Sequence, residues 1–107
     1  MAAAHSHLVT QVIWKLEYYG AFVWRNNTGA FRPRAGGFMR FGYPGSPDVI
    51  GILPDGRFIG VECGVGKDML NAKQVTFRMR TEAVRGVYWE IRNIHEVEAL
   101  YAQLKTK

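Results

Sequence analysis

The chain has one cysteine, Cys63, in 107 residues. That excludes an internal disulfide and any cysteine-based zinc cluster, and it suits a reducing cytoplasm, the expected location. Long hydrophobic runs are also missing. Nothing approaches the roughly 20 apolar residues that span a bilayer, so no membrane association is expected. The opening Met1-Ala2-Ala3-Ala4-His5-Ser6-His7 lacks the basic and apolar regions of a secretory leader, so none is expected. Negative charge is absent from one long stretch: no acid lies between Glu17 and Asp48, whereas Arg25, Arg32, Arg34 and Arg40 all fall there. There is no internal repeat and no long low-complexity tract.

What is present describes one domain, residues 1–107, large enough to bury roughly two-thirds of the surface its unfolded chain exposes. Hydrophobic residues make up 48% of it and aromatics 13%, which argues against disorder. The net charge is +5. Residues 26–42 form a Gly/Arg/aromatic segment that is long for a structureless loop, so it reads as a binding loop or a hairpin. Its arginines would neutralise phosphates, and Phe31, Phe38 and Phe41 would stack on bases or wedge between them. The plainer alternative folds those rings over the core and leaves the arginines merely solvated.

Around this segment the pattern alternates helices and strands. Apolar Leu8, Val9, Val12, Ile13 and Leu16 recur at helical spacing, so a helix starts at Ser6 or Thr10 and runs to about Tyr19. Residues 21–26 read as a strand. Asn71-Ala72-Lys73-Gln74 has the form of a capping box opening a helix to about Arg85. A strand over 87–92 follows, then a last helix from Asn93-Ile94-His95-Glu96 to about Lys105, with His95 in a structural role.

The chemistry concentrates between these elements. Two apolar runs, 47–53 and 57–63, flank Pro54-Asp55-Gly56, a turn sequence in which Gly takes the left-handed position. A three-residue loop pairs Leu53 with Arg57 and sets Asp48 opposite Glu62, with Cβ atoms about 5 Å apart. Two carboxylates that close need a proton or a cation between them. A two-residue loop would instead pair Asp48 with Cys63 and send the acids to opposite faces. In the first register Cys63 points away from the acids as a small buried hydrophobe.

Gly45-Ser46-Pro47-Asp48, the hairpin and Glu62-Cys63 together resemble the PD-(D/E)xK nucleases, and more narrowly the small VRR-NUC domain. The segment Trp24–Ala30, the Gly56-Arg57-Phe58 turn and Gln74, twelve residues after Glu62, match in order. The resemblance implies an α/β fold with a restriction-endonuclease-like mixed central sheet flanked by helices, in the order αβββαβα. It implies a Mg²⁺- or Mn²⁺-dependent endonuclease acting on branched DNA, as Holliday-junction resolvases do in repair. A homodimer in a bacterial or phage-infected cell is implied too, with no small-molecule cofactor. Asp48, Glu62 and the Cys63 carbonyl would hold the metal, with His7 a weaker ligand, and His5 close by, where relatives carry a glutamate. Gln74 would orient water or phosphate, though the capping box alone also accounts for it. Arg25, Asn26, Arg32, Arg34, Arg40, Lys67, Lys73 and Arg78 would contact DNA; solvated surface charge is the alternative for the basic residues.

One departure matters more than the matches. Gly64 stands where the pattern has lysine, on the same face as Glu62, so the resemblance implies an inactive or impaired form. A naturally inactive protein, substitution by Lys67 or Lys73, or an engineered inactivating change would each account for it. The intact remainder of the motif favours the last. The rival to the enzyme is a non-catalytic DNA-binding module on the same scaffold.

Overall fold

In the computed structural model, which describes residues 2–64 and 69–105, the Pro54-Asp55-Gly56 turn closes as its residues require. Gly56 takes φ +92° and donates its N–H to the Leu53 carbonyl at 2.8 Å, while Leu53 N–H reaches the Arg57 carbonyl at 2.8 Å. Asp55 Oδ1 accepts from Arg57 N–H at 3.0 Å. This three-residue loop joins β4 (Val49–Ile52) to β5 (Phe58–Cys63), paired antiparallel with Val49 opposite Val61 and Ile52 opposite Phe58. The register is the one that sets Asp48 across from Glu62.

Helix α1 spans Ala2–Tyr18, starting before either expected cap. The alanines at its start have the highest helix propensity, so the helix continues past the capping residues that the pattern suggested. Its end is a Schellman arrangement: Gly20 N–H bonds the Glu17 carbonyl at 2.9 Å and Ala21 N–H the Leu16 carbonyl at 3.0 Å. Strand β1 (Phe22–Arg25) pairs antiparallel with β4, and β6 (Val87–Ile91) pairs parallel with β5. The sheet order is β1-β4-β5-β6. The parallel pair needs a crossover, supplied by α2 (Ala72–Ala83). Helix α3 (His95–Lys105) follows β6. The central elements therefore keep the expected αβββαβα order.

An addition lies in the basic segment. Gly29–Phe31 (β2) and Met39–Phe41 (β3) form their own two-stranded ribbon, separate from the main sheet. Its rings do not fold inward: Phe31, Phe38 and Phe41 are each about half exposed. Arg32 and Arg40 instead sit over the Phe38 ring, 5.9 and 5.5 Å from its centroid.

Strand alternation divides the sheet. Val49, Ile59, Val61, Cys63, Trp89 and Ile91 face one way and form the core with Leu8, Val9, Val12 and Leu16 of α1 and Val97 and Tyr101 of α3. The other face carries Phe58, Gly60 and Glu62 on β5 and Tyr88 and Glu90 on β6. Phe77 of α2 lies over it, its ring 6.3 Å from that of Phe58. Beyond α2 no other described element covers this face, and Phe22 (68% exposed), Trp24 (43%) and Ile52 (45%) open to solvent.

Candidate metal centre at the end of the sheet

Asp48 is fixed from three directions. Asn26, just past β1, donates its backbone N–H to the Asp48 carbonyl at 2.8 Å. The Asn26 amide nitrogen reaches Ser46 Oγ at 2.7 Å and the Pro47 carbonyl at 2.9 Å. The ring of the fully buried Pro47 lies over Gly60, where an added Cβ would come within 2.7 Å of Pro47 Cγ. Glycine at 60 therefore makes room for the proline that holds the acid. The Asp48 carboxylate itself accepts the Cys63 N–H at 2.8 Å.

Glu62 stands across the ladder and hydrogen-bonds the Asp48 carboxyl. Burial, then the Asp48 charge, the hydrogen bond to Asp48 and the charge of Glu90 push the Glu62 carboxyl up to about 8. At neutral pH Glu62 therefore keeps its proton beside Asp48. Gln74 Nε2 donates to Glu62 Oε2 at 3.2 Å, while Gln74 Oε1 accepts the Asn71 N–H at 2.8 Å and Asn71 Oδ1 accepts the Gln74 N–H at 3.0 Å. The capping box and the contact to the acid coexist in one side chain.

The Cys63 carbonyl also belongs here. Gly64 N–H bonds the Ile91 carbonyl at 2.8 Å, toward β6. The carbonyl of the same trans peptide, that of Cys63, points the opposite way, to the Asp48 side. The Cys63 thiol is buried in the core, and burial followed by the charges of Asp48 and Glu62 pushes it well above the usual thiol range. It is therefore inert as a nucleophile.

The expected histidine moves by two positions. His5 Nε2, not His7, lies 3.3 Å from Asp48 Oδ2, and His7 is exposed. Residues two apart on a helix face nearly opposite ways, so only one can reach the acid. The Asn26 amide nitrogen is engaged with Ser46 and Pro47, which gives this side chain a structural role beside Asp48. Arg25, Arg32, Arg34, Arg40, Lys73 and Arg78 are exposed, and Arg78 lies 3.5 Å from Glu82 on the same helix. Lys67 falls outside the described residues. A groove between the ribbon and the start of α2, lined by Arg40, Phe41, Gly45 and Lys73, adjoins the loop that carries Asp48.

Two residues escaped the sequence reading. Glu90 pairs with Glu62 in the parallel ladder, so Asp48, Glu62 and Glu90 form one row across three strands. Tyr88 is buried with a hydroxyl that has no hydrogen-bond partner among the described residues, and burial with the charges of Glu62 and Glu90 pushes its phenol up. The register of β6 across a helical crossover left no local signal for either.

The donor set suits a hard divalent ion. Two carboxyl groups and a carbonyl supply oxygen, and a cation would replace the proton on Glu62. Among the described residues no group of three or more His, Cys, Asp and Glu is arranged to hold a metal ion. The protein thus offers a partial oxygen shell, the kind that Mg²⁺ completes with water and phosphate.

No protein-family model matches the sequence, and no curated protein matches it either. In three dimensions the chain is similar to a solved structure described as a VRR_NUC domain, with a TM-score of 0.66 at 17% identity. The match covers 92% of this chain and 94% of that one, so the two share their fold over nearly their full lengths.

Proposed function

We propose that the chain is a metal-dependent phosphodiesterase domain that cuts DNA. The observation that carries this reading is the Asp48–Glu62 pair, two partly buried carboxyl groups facing each other at the end of adjacent strands, with the Glu62 carboxyl pushed up by burial and by Asp48. Asp48, Glu62 and the Cys63 carbonyl would bind Mg²⁺ or Mn²⁺. When bound, the ion supplies an activated water and neutralises charge on the phosphate. The chain's own residues do the rest. Cys63 N–H and Asn26 keep Asp48 in place, Gln74 orients Glu62, and the basic groove beside the ribbon guides the backbone. Water adds to phosphorus as the bond to one deoxyribose oxygen breaks, leaving a phosphomonoester and a hydroxyl end.

The substrate class that fits best is branched DNA. The ribbon presents exposed rings beside arginines, which suits the unstacked bases of a junction or fork. The exposed Phe22, Trp24 and Ile52 face suits a second copy, so the acting unit is a homodimer with two sites on one substrate. Activity is impaired relative to a chain with lysine at 64.

The test is a fluorescent four-way junction incubated with the protein and MnCl₂, beside Asp48→Asn and Glu62→Gln. Cutting by the parent alone supports the reading. The second reading, a binding module without chemistry, is favoured by Gly64, and it predicts salt-sensitive junction binding with no cutting in any divalent ion.

A further inference from the structure

Tyr43 follows the ribbon and is 55% exposed, although an aromatic ring gains by burial. Its position is fixed all the same. Ser46 donates both its N–H, at 3.0 Å, and its hydroxyl, at 2.6 Å, to the Tyr43 carbonyl. Gly45, at φ +81°, sets this turn so close to α2 that an added Cβ would collide with the Lys73 carbonyl. The Tyr43 ring meets Phe77 of α2 edge-on, with centroids 5.7 Å apart, and Arg80 Nη1 donates to its hydroxyl at 3.3 Å. Between the turn and the helix lies a depression of about 360 Å³, lined by Tyr43, Pro44, Ala72, Lys73, Thr76 and Phe77. That volume falls in the range of roughly 300–1,000 Å³ typical of small-molecule sites. Pro44 and Lys73 also line the groove beside the ribbon, so the two run together. The acid is close by: three chain steps from Gly45 to Asp48 span at most about 11 Å.

Resting on the nuclease reading, we propose that this depression receives one unpaired nucleobase of the DNA, stacked on Tyr43, while Lys73 and Arg40 hold the phosphates beside it. Proline, alanine and ring faces offer a phosphate no donor, whereas every base has a flat face that stacks on an aromatic ring. A side chain of a second protein would fill the same space. The surrounding cations favour a polyanion instead: Lys73 belongs to both the depression and the groove, Arg40 lines the groove, and Arg80 holds the Tyr43 hydroxyl. A base within a duplex enters only by leaving its stack, which costs least where pairing is already broken. The depression therefore registers the unpaired nucleotide at a bulge or branch point and is indifferent to which base it is.

The experiment is a fluorescence titration in CaCl₂ of a DNA duplex carrying one unpaired 2-aminopurine, beside the same duplex with an abasic residue in its place. Melting curves accompany every variant. The parent binds the 2-aminopurine duplex on the order of 10-fold more tightly than the abasic one, and stacking quenches the base. Tyr43→Ala removes both the preference and the quenching and leaves abasic binding unchanged. Tyr43→Phe keeps both, because the ring remains. The double variant Ala72→Leu, Thr76→Leu fills the depression and removes both, and it decides the matter if Tyr43→Ala melts early. Equal parent affinity for the two duplexes, with Asp48-dependent cutting of a junction in MnCl₂, would overturn this proposal alone. A parent that binds neither duplex and cuts no junction would overturn the nuclease reading with it. A base preference that survives Tyr43→Ala, accompanied by a shift from dimer to monomer, would give the depression to a side chain of a second copy.

Discussion

Gln74 and Glu62 are joined through the two ends of one carboxamide: its oxygen accepts from Asn71 at 2.8 Å and its nitrogen donates to Glu62 at 3.2 Å. Helix start and the paired acids are therefore mechanically linked. Gln74→Glu separates the roles, since glutamate serves a capping box as well as glutamine but has no N–H for Glu62. The variant should lose stability without metal, because a third carboxylate joins the pair. It should gain more than the parent on adding Mn²⁺. Thermal melts with and without MnCl₂ measure both changes.

The raised Glu62 carboxyl sets a pH dependence with a definite sign. Its value of about 8 in the folded chain lies above the ordinary carboxyl value of 4.5, so the folded state holds the extra proton between those limits. That contribution to stability is complete below about 4.5 and lost as pH rises toward 8. Metal-free melting temperatures should fall across this window, and Glu62→Gln should flatten the fall. Mn²⁺ must displace the proton, so its apparent affinity should rise with pH and level off near 8. Calorimetric titrations at several pH values, in buffers of different ionisation heat, would count the released proton.

Gly60 and Pro47 form the contact that aims Asp48. An alanine at 60 would press its Cβ against a ring carbon at 2.7 Å. Gly60→Ala should cost about 1–3 kcal/mol in urea unfolding, the usual range for overpacking. Mn²⁺ affinity should drop with it, whereas Gly64→Ala, at an ordinary contact, should leave stability nearly unchanged.

Arg85 ends α2 with φ +68°, the left-handed position of a Schellman motif in which Gly86 N–H bonds the Thr81 carbonyl at 2.9 Å. Arg85→Gly should stabilise the chain by about 0.5–1 kcal/mol, because glycine adopts that conformation without strain. Junction binding should not change.

The ribbon should behave as a separable DNA contact. Arg32→Ala and Arg40→Ala should each weaken junction binding and lower the salt slope by about 1. Melting should stay within about 0.5 kcal/mol of the parent, as for surface changes generally. Trp24→Glu, on the bare sheet face, should convert dimer to monomer in sedimentation equilibrium.

Much of this was legible in local sequence. Pro54-Asp55-Gly56 fixes its own loop length, and loop length fixes which face Asp48 and Glu62 share. Asn71 through Gln74 announces a helix start because capping is decided within one turn. Contacts set by distant packing were not legible. Whether His5 or His7 meets Asp48 depends on how α1 rotates on the core, which no neighbouring residue specifies. Glu90 joins the row of acids through a parallel register established across a whole helix. The exposure of Phe31, Phe38 and Phe41 follows from the ribbon pairing with itself instead of joining the main sheet, and both choices present the same alternation of residues.

Because β2 and β3 are hydrogen-bonded to each other and stand apart from the four-stranded sheet, the ribbon is modular. Its loop, Arg32 through Phe38, can lengthen, shorten or change character without disturbing the strands that hold Asp48 and Glu62. Chains built on this frame are thus free to vary an appendage while the sheet end that carries the paired acids is inherited intact.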